Sequence, residues 1–471
     1  MKAPAPGRGR GGEPCEADTR RSNGDANKLR PEDRVVHDWY RFVLSFPPHL
    51  VREYVERFGL SKDSAVLDPF CGTGTTLVEC KKLGLASTGV EATPMAHFAS
   101  TIKIDWAIDP DELVHHAEDM ASTASDQLEL DGVSDVGGPL FDRRTRLLRL
   151  MTLPAPAHDL LLTNSISPLP THKALVLLGC LNRRPESAYR SHELLALARV
   201  LVFAASNLRF GPEVGVGKPK DDAPVIQPWL DGVKLMADDL RVVRAKSAVP
   251  AQTLQADARE LSDLLEPAQF DAVITSPPYP NEKDYTRTTR LESVFLGFLR
   301  DKSDLRTLKQ TLVRSNTRNV FKADTDDEEV AEHKEIQRLA DQIESRRVAL
   351  GKTSGFERLY SRVAKLYFGG MRRHLEGLRH VVRPGAQLAY VVGDQASYLR
   401  VMIRTGQLIA DIADSLGYEV LDLDLFRSRF ATATGEMLRE EVVLLRWPGG
   451  KRRSARSVAP LRSAASKESR R

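Results

Sequence analysis

The chain has 471 residues, 41% hydrophobic and 28% charged, which suits a large core carrying insertions or two to three domains. No window approaches the roughly 18 apolar residues of a membrane span. The opening "MKAPAPGRGRGGEPCEADTRRSNGD" also lacks the apolar core of a secretory signal. Cys15, Cys71, Cys80 and Cys180 are far apart with no Cys-x-x-Cys, against a disulfide framework or zinc site and in favour of a reducing cytoplasm. The formal charge of +4 hides an asymmetry. Residues 448–471 hold eight Lys/Arg and one Glu, a charge of +7, so the rest carries +4 − 7 = −3. Such a tail can add salt-sensitive affinity for nucleic acid.

Residues 1–30 are rich in Gly, Pro and Arg and read as a disordered tail. Helical spacing of apolar residues runs from His49 to Phe58, with Gly59 suited to the C-cap. "SAVLDPFCGTGTTLVECKKLG" then reads as a strand (Ala65 to Leu67), a glycine loop and a helix ending at Gly84. A second strand in "ASTGVEATP" is closed by Glu91, and a helix follows from Pro94 to about Lys103.

A long interruption, 107–250, mixes loop with helical runs at 174–181 and 192–205. Strand pattern returns at 253–255 and again in "FDAVITSPPYPNEKDYTR", where two prolines end the strand because neither donates a backbone hydrogen bond. The charged segment 300–358 reads as a second, helical insertion. Helix 360–380, the segment "RPGAQLAYVVG", helix 405–416 and strands 419–425 and 441–445 complete the pattern. The expected fold is α/β: an open, mostly parallel Rossmann-like sheet with helices on both faces and two insertions. Its catalytic parts are 31–106, 251–299 and 359–447, separated by the inserted 107–250, a possible target-recognition region, and 300–358; the basic tail is 448–471.

"VLDPFCGTGTT" lies between strand and helix, where parallel sheets bind ligands. Gly72 and Gly74 permit a sharp turn and close approach to a ligand. Leu77 occupies the third-glycine place of the dinucleotide fingerprint, and no Lys follows as in a phosphate-binding loop. Asp68 at the loop entry suits an amine-bearing ligand and repels phosphate. Glu91 is placed for a ribose diol, and Asp257 for an adenine amino group. Acid, glycines, acid and acid on three strand ends describe a site for S-adenosylmethionine (AdoMet).

"DPFCGTGTT" closely resembles the AdoMet motif of amino-methylating DNA methyltransferases, and "TSPPY" resembles their catalytic motif. "FPPHLVREYV" is similar to their segment that closes over the methionine end of the cofactor, and "HVVRPGAQLAYVVGD" to a later strand region. The resemblance spans roughly residues 35–106, 251–298 and 360–446. It departs at Gly385-Ala386, where Gly-Gly is usual, and in the two hundred or so residues between the motifs. It implies a Rossmann-like AdoMet-dependent methyltransferase sheet, with cofactor contacts from Phe46, Pro47, Asp68, Pro69, Phe70, Gly72, Gly74, Thr75, Glu91 and Asp257. Catalysis would fall to Ser276, Pro277, Pro278 and Tyr279, without a metal.

An exocyclic amine is a poor nucleophile because its lone pair is delocalised into the ring. Acceptors around it, here the Ser276 hydroxyl and the Pro277 carbonyl, favour a tetrahedral nitrogen aimed at the methyl donor. Tyr279 offers a face on which an extruded base stacks. In the family the Ser form resembles the cytosine-N4 type, and Asp/Asn forms accompany adenine-N6. Candidate DNA contacts, interleaving basic and aromatic residues, are Arg209, Phe210, Lys218, Lys220, Lys283, Tyr285, Arg287 and Arg290.

The expected function is therefore methylation of cytosine N4 in double-stranded DNA with a flipped target base, in a restriction–modification or defence setting with a partner restriction endonuclease. Alternatives are an adenine-N6 enzyme, an RNA guanine-N2 type methyltransferase, and an inactive DNA-binding paralogue. Two further features are weighed. Pro14-Cys15 imitates a cytosine-C5 nucleophile but lies in the tail, and His37-Asp38-Trp39-Tyr40 is either a buried structural cluster or a cofactor neighbour.

Overall fold

The computed structural model describes residues 29–41, 46–136, 149–211, 213–431 and 435–450. The expected tails at 1–30 and 448–471 lie almost wholly outside these residues, as does Pro14-Cys15. Strands β1 (Ala65–Asp68), β2 (Ala86–Glu91) and, after a separate hairpin of β3 (Leu208–Phe210) and β4 (Val214–Val216), β5 (Ala251–Gln255) and β6 (Phe270–Thr275) are followed by β7 (Val382–Gly393), β8 (Glu419–Ala431) and β9 (Glu436–Arg446). All but β3 and β4 form one sheet in the order β5-β2-β1-β6-β7-β9-β8. The first five of these are mutually parallel, and β9 runs antiparallel to both β7 and β8.

That order places the site. From β1 the chain moves outward through β2 to β5, then returns to the other side of β1 as β6. The connections leaving β1 and β6 therefore diverge, and a crevice opens at their carboxyl ends. In register, Val66 and Leu67 face Ala272 and Val273, so Asp68 and Ser276 emerge at the same edge.

Alternation along the strands divides the apolar residues between two faces. Val66, Ala272, Ile274, Ala389 and Val391 pack with Leu50, Val51 and Tyr54 of helix α1 (Pro48–Arg57). Leu67, Val273, Leu388, Tyr390 and Val392 form a core with Tyr367, Phe368 and Met371. Each such aliphatic side chain contributes about 1.5–3 kcal/mol on burial, and a one-residue slip would reverse the faces. Helices on both faces satisfy the expected fold class.

Helices α2 (Thr75–Leu83) and α3 (Pro94–Lys103) belong to the first β-α-β unit. The 107–250 insertion contains α4 (Pro110–Leu130), α5 (Pro168–Asn182), α6 (Arg190–Val200) and α7 (Ile226–Val243). It shares one core with the catalytic part: Leu77, Met95 and Ala99 cluster with Leu113, Leu177, Leu195 and Trp229. The 37–40 cluster is part of that junction. Val36 N–H and the Trp39 indole each donate to Asp239 at 2.8 Å, His37 bonds Glu79 at 2.9 Å, and the Tyr40 hydroxyl bonds Glu292. These bonds give the cluster a structural role.

The 300–358 segment is helical in part, with α8 (Lys334–Ala349) on α9 (Tyr360–Val381), and α10 (Thr405–Ser415) follows. It docks tightly: a Cβ added at Gly369 of α9 would lie 1.6 Å from the Asp326 carbonyl oxygen, so only glycine fits there. Asp326 also accepts from Arg259 at 2.6 Å and Arg373 at 2.8 Å. Among the described residues, no helix is long and apolar enough to cross a membrane.

Candidate active site

A cavity of ≈ 560 Å³ occupies the crevice beyond β1 and β6. Phe46, the glycine loop, Glu91, Asp257, Ser276, Pro277, Pro278 and Tyr279 all line it. The two sequence motifs, some two hundred residues apart, thus share one site.

Asp68 lies beneath the cavity rather than in its wall. Its Oδ1 accepts from the Thr275 hydroxyl at 2.6 Å and Phe70 N–H at 3.1 Å, while its buried Oδ2 has no partner. Burial pushes its carboxyl up to about 6, against the pull of the Thr275 and Thr76 hydroxyls and the Phe70 amide. Glu91 is fixed by two backbone donors, Thr93 N–H at 2.7 Å and Gly72 N–H at 3.0 Å, and burial raises its pKa. Holding each oxygen by one amide leaves further lone pairs for a diol.

The two glycines divide the work assigned to both. Gly72, with φ of 52°, has open space where a Cβ would stand and lines the cavity. Gly74, with φ of 86°, is not in the wall. A Cβ there would meet the Ser100 Cβ at 3.0 Å, so this glycine lets α2 start against α3. Pro69, Phe70 and Thr75 line the cavity; Pro47 instead sits at the start of α1, beside a small crevice shared with Thr73 and Lys103. Cys71 packs against Gly89, where a Cβ would come within 2.7 Å of its sulfur.

Asp257 faces the cavity, but its carboxylate is largely taken by Arg259. The guanidinium Nε lies 3.0 and 3.1 Å from the two oxygens, Nη2 lies 2.6 Å from Oδ2, and Arg259 N–H adds a bond at 2.9 Å. Arg259 reaches on to Asp326, tying this strand end to the second insertion.

At the tip of β6 the Ser276 hydroxyl donates to the Val391 carbonyl at 3.1 Å. Its proton is committed to the sheet, and its lone pairs remain. No described group donates to the Pro277 carbonyl. Tyr279 N–H donates to the Tyr285 hydroxyl at 3.1 Å, and its own hydroxyl donates to Glu440 at 3.3 Å. The ring lies against Gly393, whose missing Cβ would stand 2.9 Å from Tyr279 Cε2.

Sequence reasoning missed two walls. The segment 311–319 contributes Thr311, Leu312, Val313, Ser315 and Asn319. It also props the catalytic loop: Ser315 carbonyl accepts from Glu282 N–H at 3.2 Å, and Glu282 accepts from Thr317 N–H at 3.0 Å. Glu282 is held at φ of 61°, the left-handed region that side chains avoid. Hidden by its charge, "RSNTRN" gave no apolar period to read. The β8–β9 hairpin extends beyond the strands expected at 419–425 and 441–445, and its far part supplies Phe426, Arg427, Ser428, Arg429, Leu438, Arg439 and Glu440 to the wall.

The DNA-contact candidates separate. Lys283 and Tyr285 line the cavity, Tyr285 as the acceptor that holds the Tyr279 backbone. Arg209 and Lys218 are exposed on and beside the β3–β4 hairpin, Phe210 packs on Phe203, and the Lys220 ammonium donates to the Ala204 carbonyl at 2.7 Å. These four stand away from the cavity wall. Arg287 is half-buried and also outside the wall. Arg290 is a correction: only 8% exposed, it donates to the Thr286 carbonyl and hydroxyl and the Leu160 carbonyl, so it holds the chain together and is not free for DNA.

A seven-stranded sheet of this order, with an acidic and glycine-rich loop beside a Ser-Pro-Pro-Tyr tip, defines the class as a Rossmann-like methyltransferase. Residues 18–99 match a family model described as DNA methylase, of the N6/N4 type. Type II methyltransferase M.BsoBI of Geobacillus stearothermophilus is 25% identical over 443 residues, covering 88% of this chain and 85% of the relative. Type II methyltransferase M.AvaI of Nostoc sp. is 22% identical over 418 residues, 84% of this chain and 80% of the relative. Among solved structures, TrmN from Thermus thermophilus aligns at 11% identity with a TM-score of 0.28, over 89% of this chain and 54% of that one, a superposition too loose to bear on function. Over most of its length the chain is thus similar to type II methyltransferases, and its first part matches the DNA methylase family model.

Proposed function

We propose that this protein transfers a methyl group from AdoMet to N4 of cytosine in DNA, as the modifying half of a restriction–modification system with a partner endonuclease. The observation that carries the reading is the Ser276 hydroxyl bonded to Val391 beside the unpartnered Pro277 carbonyl.

AdoMet fits the residues present. The unpartnered Asp68 Oδ2 lies below the loop, Gly72 leaves room for close approach, and Glu91 retains lone pairs for a ribose. When bound, the cofactor supplies an electrophilic sulfonium methyl group. The chain's own part is to orient the nucleophile. With its proton turned to Val391, Ser276 can only accept at the cavity face, and the Pro277 carbonyl is aimed by the rigid Pro-Pro pair. Two acceptors drawing the amine's hydrogens localise the nitrogen lone pair toward the donor. Preformed dipoles of this kind act without reorganising during transfer. Tyr279, braced by Tyr285 and Glu440, supplies a fixed ring against which a flipped base stacks.

The type II relatives support the restriction–modification setting, and the serine in the motif supports cytosine. Expression in a host free of DNA methylation, followed by modified-base sequencing, tests the reading. A recurrent sequence bearing N4-methylcytosine is expected; modification of RNA alone would refute it.

A further inference from the structure

The charges lining the cavity are almost all neutralised within the chain. Asp257 pairs with Arg259, Asp394 with Arg404 and Arg439, and Arg427 with Glu440. Glu91 is held by its two backbone amides at the glycine-loop end. Two cations are left over, Lys283 and Arg429. They come from different segments, the loop after the Ser-Pro-Pro-Tyr tip and the β8–β9 hairpin, and both line the same cavity. Neither ammonium nor guanidinium has a carboxylate within ion-pairing distance among the described residues. Glu213 and Glu440 are near enough to favour the Lys283 charge but do not bond to it. Burial lowers the Lys283 pKa, and Arg429 beside it lowers it further. Two like charges, the half-buried Lys283 and the exposed Arg429, thus line one cavity with no carboxylate bonded to either, and such a place favours an anion.

The neighbours indicate which side of the cavity this is. Lys283 lies four residues beyond Tyr279, whose hydroxyl bonds Glu440, the partner of Arg427, itself two residues from Arg429. The cations therefore lie on the Tyr279 side of the cavity. We propose that Lys283 and Arg429 form a two-pronged clamp for a DNA backbone phosphodiester beside the nucleotide whose base enters the cavity. This rests on the DNA reading above. An ammonium and a planar guanidinium fork suit the two free oxygens of a phosphodiester, and such contacts fix the register of the duplex without reading sequence.

The test compares the full chain with Lys283→Ala, Arg429→Ala, the double variant, Arg429→Lys and, as a control on α8 away from the cavity wall, Arg338→Ala. Affinity for a duplex DNA fragment is measured by fluorescence anisotropy over a range of KCl, and AdoMet affinity by calorimetry. The slope of log K against log[KCl] should become shallower by about one for each single alanine variant and about two for the double. Arg429→Lys and Arg338→Ala should keep the wild-type slope, and AdoMet affinity should be unchanged throughout, which also shows that the variants are folded. Wild-type slopes in both single variants would overturn the clamp. Loss of AdoMet affinity would overturn it too, by assigning the cations to the cofactor's carboxylate. If the wild-type protein bound no duplex DNA, the DNA reading itself would fail and the clamp with it.

Discussion

The Ser276 hydroxyl donates to the Val391 carbonyl at 3.1 Å, across the β6–β7 boundary of the sheet. A serine hydroxyl has one proton and two lone pairs, so this bond makes the side chain a pure acceptor toward the cavity. An Asp at this position would also accept there, but its carboxylate would face the Val391 carbonyl with no proton to donate.

Ser276→Ala should therefore lower the methyl-transfer rate by about a hundredfold or more, the scale of losing one preorganised hydrogen-bond partner. AdoMet affinity should survive, because Ser276 is not among the groups that grip the cofactor. Single-turnover kinetics with a separate AdoMet titration would show both. Equal losses in rate and AdoMet binding would mean that the strand end itself had moved.

Asp68 gives a pH prediction. Its folded-state pKa of about 6 exceeds the ordinary 3.8, so the folded chain holds this proton more tightly than the unfolded chain does. The stabilisation is present below about pH 4 and is lost as pH rises through 6. Asp68→Asn should therefore raise the cofactor-free melting temperature at pH 8 more than at pH 4, by at most about 3 kcal/mol in free energy. It should also weaken AdoMet binding. Melts at the two pH values check the sign; a larger gain at pH 4 would contradict it.

Gly369→Ala places a methyl group on the Asp326 carbonyl, 1.6 Å away without relaxation. Backbone on backbone leaves no flexible side chain to give way. The variant should lose about 1–3 kcal/mol or more in denaturant unfolding, and a change below about 1 kcal/mol would show that the insertion moves freely on α9.

Arg259 couples that insertion to the cofactor end by bridging Asp257 and Asp326, each at 2.6 Å. Arg259→Met leaves the half-buried Asp257 unpaired and Asp326 with Arg373 alone, and breaking a fully buried ion pair costs at most about 3–5 kcal/mol. AdoMet affinity should fall along with stability. Stability lost with AdoMet affinity intact would show that Asp257 is not part of the cofactor site.

Much of this was legible in the sequence because two local signals were strong. Gly72 beside an acidic strand end, and Pro-Pro after an apolar strand, mark chain reversals that packing elsewhere does not alter. Strand alternation also gave the sheet and its helices. What stayed hidden depends on tertiary contact. Arg290 looked like an exposed basic residue beside the catalytic loop, yet Leu160 from the first insertion covers it. Gly74 reads like Gly72 until Ser100 is placed against it. The outer part of the β8–β9 hairpin has no clean alternation because register shifts between Val420/Asp422 and Leu425/Arg427 interrupt it. With that hairpin went the Arg429 half of the cavity mouth.

The most direct test of the central claim is nucleoside analysis of duplex DNA after incubation with purified protein and methyl-labelled AdoMet. The expected result is label in N4-methylcytosine, entering about a hundredfold more slowly or less with Ser276→Ala. Label found only in N6-methyladenine would contradict the reading of Ser276.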